Sequence, residues 1–199
     1  MFRTLVAVGL IATATTFNAA AVTPPNPAGI ALYGKDVSAE HIGGQLDMTD
    51  QNGRRRKLSD FRGKVVLIFF GYTRCPDVCP TTLSNLARVM NLLGPDADKS
   101  QVLWVTVDPE RDTAEILRNY VPNFNPKFIA LRGSAAKTDA LARRFHVNYQ
   151  ILEYQGATLV DHSAYGYLID TSGKTRVKLL YDLTAEQIAA DVQKFLTHD

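Results

Sequence analysis

Residues 64–70 read KVVLIFF, an unbroken apolar run rich in β-forming residues that ends at Gly71. A run of this kind predicts a strand that is buried on both faces of a sheet. After a loop, residues 81–93 carry apolar side chains at helical spacing, and Gly94-Pro95 ends that pattern. A fully buried strand followed by an amphipathic helix indicates an α/β fold, in which helices cover the faces of the sheet.

The same alternation continues on both sides of this strand. Before it, Asn52-Gly53 predicts a hairpin turn between strands at residues 44–49 and 57–58. After it, the pattern predicts strands at residues 102–107, 128–131, 147–153, 163–169 and 176–181. It also predicts three helices: one that begins at Asp112, one that follows the N-cap Ser134, and one that begins at a capping box formed by Thr184 and Gln187. This order predicts a thioredoxin-like fold, with a central mixed sheet flanked by helices and an N-terminal β-hairpin extension.

The N-terminus predicts an exported protein. Residues 1–21 read as a signal peptide or an N-terminal membrane anchor, because Arg3 precedes a short apolar stretch and Ala19 and Ala21 form a plausible cleavage site. Residues 22–40 begin with several prolines and are predicted to be a linker. The thioredoxin-like domain is therefore expected at residues 41–199.

The charge balance excludes one broad class of function. The chain has 22 basic and 20 acidic residues and a formal net charge of +2. A nucleic-acid-binding protein usually carries a marked basic excess, so nucleic acid is not expected as a partner. Membrane association is expected only through the N-terminal segment.

Both cysteines of the chain, Cys75 and Cys79, lie in one motif, Cys-Pro-Asp-Val-Cys-Pro. A disulfide between them would close a loop of about five residues, worth roughly 2 kcal/mol against about 4.7 kcal/mol for a 100-residue loop. This small gain favours a chemical role over a structural one. At the start of a helix, free backbone N–H groups stabilise a thiolate, so at least one of the two thiols is expected to be acidic.

Two thiolates leave a metal ion under-coordinated, and a histidine is the expected third ligand, since sulfur with imidazole suits copper and zinc. The chain offers His41, His146, His162 and His198. His146 lies near a predicted helix C-terminus, where it can interact with the helix dipole. His162 lies in a predicted loop near the cysteine end of the sheet, and its position alone fits a ligand and a solvated loop residue equally well.

Three separated motifs resemble the signature of the Sco/SenC family. The first is FFGYTRCPDVCP at residues 69–80, the second VDPERDT at residues 107–113, and the third VDHSA at residues 160–164, followed by YLID at 167–170. The resemblance extends over residues 42–196. One position differs, because the residue before the first cysteine is often His in this family and is Arg74 here, which could shift thiol acidity and copper affinity.

The resemblance implies a thioredoxin-like copper protein that assists assembly of the copper centres of cytochrome c oxidase. It implies Cu(I) or Cu(II) bound by Cys75, Cys79 and His162. The neighbouring Asp161 could orient His162, weakly contact the metal, or cap a turn. The implied partners are the copper-bearing oxidase subunit and another periplasmic copper chaperone or thioredoxin-like reductant. The implied location is the bacterial periplasm, soluble or tethered to the inner membrane, rather than the mitochondrial intermembrane space.

Other functions remain open at this stage. Cys75 and Cys79 could form a redox-active pair in a thiol–disulfide reductase that keeps the cysteines of the oxidase copper site reduced. A peroxidase of the peroxiredoxin type fits less well, because Thr73 is only two residues before Cys75. A structural zinc site would be incomplete with two cysteines and one histidine. The acidic and basic residues of the second motif, Asp108 to Asp112, are expected to form a salt-bridge network beside the site.

Overall fold

A mixed β-sheet with helices on both faces dominates the part of the chain that the computed structural model describes, residues 31–154 and 157–197. The strands are β1 Lys35–Asp36, β2 Asp47–Asp50, β3 Arg55–Lys57, β4 Val65–Gly71, β5 Ser100–Thr106, β6 Ile129–Arg132, β7 Tyr149–Tyr154, β8 Ala157–His162, β9 Gly166–Ile169 and β10 Thr175–Leu179. The α-helices are α1 Val78–Leu93, α2 Ala114–Tyr120, α3 Ala135–Arg144 and α4 Ala185–Thr197, and short 3₁₀ helices occur at Leu58–Phe61, Gly94–Lys99 and Val121–Asn123.

Strand β4 lies in the middle of this sheet, whose order is β1-β10-β9-β4-β5-β6-β2-β3. It pairs in parallel with β5 and antiparallel with β9, so the sheet is mixed. Every residue of β4 is buried, because successive side chains enter two different cores. Val65, Leu67 and Phe69 pack with α1, α2 and α4, while the intervening side chains pack with α3 on the opposite face. The thioredoxin-like prediction is confirmed.

The predicted helices are present, with shifted starts. Helix α1 begins at Val78, three residues earlier than the apolar pattern indicates. Ser134 is the N-cap of α3 and accepts a hydrogen bond from the Lys137 N–H. The capping box at α4 is confirmed, since the N–H of Thr184 donates to Gln187 Oε1 at 2.9 Å and the N–H of Gln187 donates to Thr184 Oγ1 at 3.3 Å.

The N-terminal hairpin is also confirmed, as β2 and β3 pair around the turn that contains Gly53. Residues 1–30, which include the predicted signal segment and the first nine residues of the predicted linker, lie outside the described residues. The remaining part of that linker packs on the domain, because β1 pairs with β10 and Val37 is buried. The backbone N–H groups of Tyr33 and Gly34 also donate to the Asp191 carboxylate of α4. In the described ranges, no helix is long and apolar enough to cross a membrane.

The strand predicted at residues 147–153 is present as β7, but the sequence pattern does not predict that it belongs to a second, two-stranded sheet. Strands β7 and β8 form an antiparallel hairpin that pairs Tyr149 with His162. The expectation that His162 lies in a loop is therefore wrong: it is the last residue of β8. The strand expected at residues 163–169 is correspondingly shorter, because β9 begins at Gly166.

Candidate metal site

The site lies where β4 ends and α1 begins. Gly71 is the last residue of β4, and Tyr72 follows it with a buried side chain. A tight turn then closes with a hydrogen bond from the Cys75 N–H to the Tyr72 carbonyl at 3.3 Å. Cys75 is half-buried in this turn, whereas Cys79 lies in the first turn of α1 and is completely buried.

The first turn of α1 offers its free backbone N–H groups to sulfur, as expected from the sequence. The Cys79 N–H donates to Cys75 Sγ at 3.4 Å, so one of the unpaired donors at the helix N-terminus faces the other cysteine. The sequence predicts at least one acidic thiol without assigning it, and Cys79 is not that thiol. Burial raises the pKa of the Cys79 thiol well above its ordinary value, because removal from water disfavours the thiolate more than nearby N–H groups favour it.

His162 reaches the cysteines from the end of β8. Its Nε2 lies 3.4 Å from Cys79 Sγ, and its Nδ1 lies 3.1 Å from the carbonyl oxygen of Ser163. A carbonyl oxygen can only accept a hydrogen bond, so Nδ1 carries the proton and Nε2 presents its lone pair to the sulfur. This is the tautomer that a metal ligand requires.

The surroundings of His162 keep its imidazole neutral. Burial lowers its pKa below the ordinary value, and this outweighs the opposite effects of the hydrogen bond to Ser163 and the charge of Asp161. The Tyr72 ring stands edge-on to the imidazole, with the centroids 5.9 Å apart and the planes at 87°. A neutral imidazole held in a fixed orientation is available to a metal ion near neutral pH.

The fold brings together the three ligand atoms that the resemblance implies. The two Sγ atoms and a ring nitrogen of His162 all lie within 4.8 Å of one another. Two sulfurs and one imidazole nitrogen form a soft donor set that fits copper, and Cu(I) above all. A disulfide needs only the two cysteines, so a third donor close to both thiols favours a metal site. Asp161 is exposed and is not part of this group.

The other histidines lie elsewhere or outside the described residues. His41 is exposed ahead of β2. His146 follows α3 in a left-handed conformation with φ of 52°, and its N–H donates to the Arg143 carbonyl, which places it at a helix C-terminus as expected. His198 lies outside the described residues.

A buried carboxylate supports the cysteine loop, and its role was missed. Asp112 was expected to begin α2, but Thr113 is the N-cap of that helix and Asp112 is completely buried. It accepts hydrogen bonds from the Thr73 N–H at 3.2 Å, from the Thr73 hydroxyl and from Thr106 Oγ1 at 2.5 Å. Burial raises the pKa of Asp112, although these hydrogen bonds act in the opposite direction. Its main partner is 39 residues away in sequence, so no local pattern could have revealed it.

The expected salt-bridge network is present in a smaller form. Arg111 Nε lies 2.5 Å from a carboxylate oxygen of the buried Asp108, and Arg111 Nη1 donates to the Thr158 carbonyl of β8 at 3.0 Å. Glu110 is exposed. Arg111 therefore ties the second motif to the hairpin that carries His162.

Comparison with known proteins gives one consistent result. The SCO1/SenC family model matches residues 34–197. A SCO2-like protein of Rickettsia prowazekii is 36% identical over 150 residues, which cover 74% of this chain and 73% of that protein. The mitochondrial SCO2 homolog of Bos taurus is 36% identical over 157 residues, 77% of this chain and 59% of that protein. The copper-bound structure of Bradyrhizobium japonicum ScoI is 38% identical, with a TM-score of 0.73 over 78% of this chain and 99% of that one.

Proposed function

The chain belongs to the SCO1/SenC family, and on that premise we propose that it binds copper through Cys75, Cys79 and His162 and passes the ion to the copper-bearing subunit of cytochrome c oxidase. The observation that carries the proposal is the convergence of two sulfurs and one imidazole nitrogen within 4.8 Å. The family is linked to assembly of that oxidase. Copper is the cargo in this account, and the three side chains are its transient ligands.

The arrangement suits an ion that must be taken up and released. Cys75 is only half-buried and lies on a surface turn, so an incoming partner can reach its sulfur. Cys79 lies deeper, and the neutral imidazole of the half-buried His162 is already turned toward the Cys79 sulfur. A three-ligand site also leaves a coordination position open, through which a donor or acceptor thiolate can attack the ion.

Disulfide exchange alone is the less favoured function. A reductase needs Cys75 and Cys79 but has no use for an oriented imidazole beside them. The position of His162 therefore favours metal binding, with thiol exchange as a secondary property of the same sulfurs.

We also propose that the protein acts outside the cytoplasm, in the bacterial periplasm, either free or tethered by its N-terminal segment. The signal-like pattern of residues 1–21 supports this location, as does the mitochondrial location of a relative. A second periplasmic copper chaperone or a thioredoxin-like reductant would be needed upstream, since the two thiols must be reduced before copper binds.

The test is an anaerobic titration of the reduced protein with Cu(I), in competition with a chromogenic chelator, and a parallel titration with Cu(II). We expect about one copper per chain, and His162→Ala should weaken the affinity by about tenfold or more, since a ligand should count for at least as much as an outer-sphere partner. His146→Ala is the matched control, because His146 is exposed and does not belong to the group of three ligand atoms.

A companion test measures oxidase activity in cells that lack the protein and are complemented with each variant. Wild type and His146→Ala should restore activity, and His162→Ala should not. Absence of tight copper binding by reduced wild type would refute the proposal. Full oxidase activity with His162→Ala would instead leave a reductase as the function.

A further inference from the structure

Trp104 carries a buried donor that the fold does not use. It lies in β5 opposite Phe69 of β4, and its side chain is completely buried. Its indole N–H has no hydrogen-bond partner among the residues that the structure describes. Leaving such a group unpaired costs about 1–3 kcal/mol, and buried donors without a partner are uncommon in native proteins. The unpaired indole N–H of Trp104 is therefore unusual and needs a structural explanation.

Gly71 shows what lies beside this donor. A Cβ atom added to Gly71 would be 2.7 Å from Cys79 Sγ and 2.8 Å from Trp104 Nε1. Both distances are too short for a real side chain, so glycine is needed here for close approach. The missing side chain leaves the Cys79 sulfur and the indole nitrogen bordering the same small space.

We infer that Trp104 is a positioning residue for copper, whose indole N–H donates to the Cys79 sulfur once that sulfur has become a copper-bound thiolate. The inference rests on the proposed copper function. In the metal-free protein the Cys79 sulfur lies next to His162 Nε2. When copper binds the imidazole and the sulfur, the thiol proton is released to solvent, and the negative sulfur that remains in a buried space gains from a further donor. The unpaired indole N–H borders the same space as this sulfur and can supply that hydrogen bond.

Such a hydrogen bond should affect the two oxidation states of copper unequally. A hydrogen-bond donor withdraws electron density from a thiolate sulfur. Because the sulfur donates more electron density to Cu(II) than to Cu(I), the hydrogen bond weakens the bond to Cu(II) more than the bond to Cu(I). Hydrogen bonds around a cysteine ligand tune the redox potential of copper sites for this reason. Trp104 is therefore expected to favour Cu(I), the form suited to delivery by thiol exchange.

Tyr120 offers a matched control. Its ring packs against Trp104 with the centroids 5.7 Å apart, and its hydroxyl is also buried without a described partner. Burial raises the pKa of this hydroxyl, and the charge of a Cys79 thiolate contributes to raising it, so Tyr120 is the competing donor that the comparison must test. Tyr120→Phe removes one buried polar group from the same part of the core, and Trp104→Phe removes the N–H while it keeps an aromatic ring.

The first measurement is the ratio of Cu(I) to Cu(II) affinity in wild type, Trp104→Phe and Tyr120→Phe. We expect Trp104→Phe to lower this ratio by about three- to tenfold, in line with the loss of one hydrogen bond outside the ligand sphere. The sulfur-to-Cu(II) charge-transfer band should move to lower energy at the same time. Tyr120→Phe should keep the wild-type ratio and band, whereas a loss of packing alone would weaken both oxidation states together.

The second measurement is made on unmodified protein, so it does not depend on how a variant folds. The chain contains one tryptophan, and its indole ¹H–¹⁵N signal in NMR therefore needs no assignment. We expect the indole proton to move downfield when the reduced protein is loaded with Cu(I), and also with Hg(II), which requires only the two thiolates.

The two proposals fail in different ways. An indole proton that does not move with either metal, or a wild-type affinity ratio in Trp104→Phe, would overturn the role of Trp104. A protein that holds Hg(II) with a shifted indole signal but does not bind copper would refute the proposed function and leave the hydrogen bond to the Cys79 thiolate in place.

Discussion

Cys75 and Cys79 share one short motif but occupy different environments. The helix buries Cys79 completely beneath the turn, whereas Cys75 remains half-exposed on that turn. Because the thiolate is the reactive form of cysteine, both burial and a raised pKa make the Cys79 sulfur the slower nucleophile. Chemistry with other molecules should therefore begin at Cys75, and Cys79 should act as the inner partner.

Thiol labelling tests this asymmetry. In reduced, metal-free protein at pH 8, Cys75→Ala, which leaves only Cys79, should react with iodoacetamide at least about tenfold more slowly than Cys79→Ala, which leaves only Cys75. In a denaturing concentration of urea the two variants should react at the same rate. Equal rates in the folded state would show that burial does not protect Cys79.

Among single residues, the sequence identified the metal-binding candidates better than the residues that support them. Cys75 and Cys79 are conspicuous because the chain has no other cysteine, and His162 stood out through the third motif. Asp112 and Trp104 were missed, because their importance comes from neighbours 25 to 39 positions away in sequence, namely Cys79, Gly71 and Thr73. Such contacts exist only after the sheet has assembled.

At the scale of elements, the buried strands and amphipathic helices were predictable and the β7–β8 hairpin was not. Each buried strand has a continuous apolar run, as in β4 and β5. In β7 and β8 the apolar residues are adjacent pairs, Ile151-Leu152 and Leu159-Val160, and three of these four side chains remain partly exposed. Gly156 between two stretches of β-forming residues was the one usable signal.

Arg111 should matter because it fastens this hairpin to the rest of the site. Arg111→Ala removes the hydrogen bond to the Thr158 carbonyl and leaves the buried Asp108 carboxylate without its ion pair. We expect the free energy of unfolding to fall by about 1–3 kcal/mol. We also expect faster amide hydrogen exchange in β7 and β8, and weaker copper binding, because His162 is the last residue of β8.

Arg118→Ala is the matched control for this substitution. Arg118 also donates to a backbone carbonyl, that of Gln51 at 3.1 Å, but on the side of the sheet that carries β2. Hydrogen exchange in β7 and β8 should be unchanged in this variant. If Arg111→Ala gave the same exchange rates as Arg118→Ala, the hairpin would be held by its other contacts.

At the scale of the whole molecule, the two β-hairpin turns of the main sheet have the same arrangement of hydrogen bonds around an aspartate, which makes the stability of the fold depend on pH. Asp50 accepts hydrogen bonds from the N–H groups of Asn52 and Arg54 and pairs with Arg56. Asp170 has partners at the same spacing: it accepts hydrogen bonds from the Ser172 hydroxyl and the Lys174 N–H, and it pairs with Arg176. In each turn the residue three positions after the aspartate is a glycine with positive φ. The two aspartates lie in turns that join different pairs of strands, β2–β3 and β9–β10.

Both carboxylates should stabilise the fold only while they are ionised. Burial disfavours the charge of each aspartate, but the hydrogen bonds and the arginine outweigh it and lower the pKa below its ordinary value of 3.8. A folded-state pKa below the unfolded one gives stability that is complete above pH 3.8 and is lost as pH falls through the folded value. Urea unfolding followed by circular dichroism should therefore show that stability declines between about pH 5 and pH 2.

The variant Asp50→Asn/Asp170→Asn should lose about 1–3 kcal/mol per site at pH 7, and its stability should decline less steeply in acid, because two of the titrating groups are gone. Asp182→Asn, at an exposed carboxylate, should follow the wild-type profile. A double variant with the wild-type slope would mean that acid acts on the fold through other carboxylates.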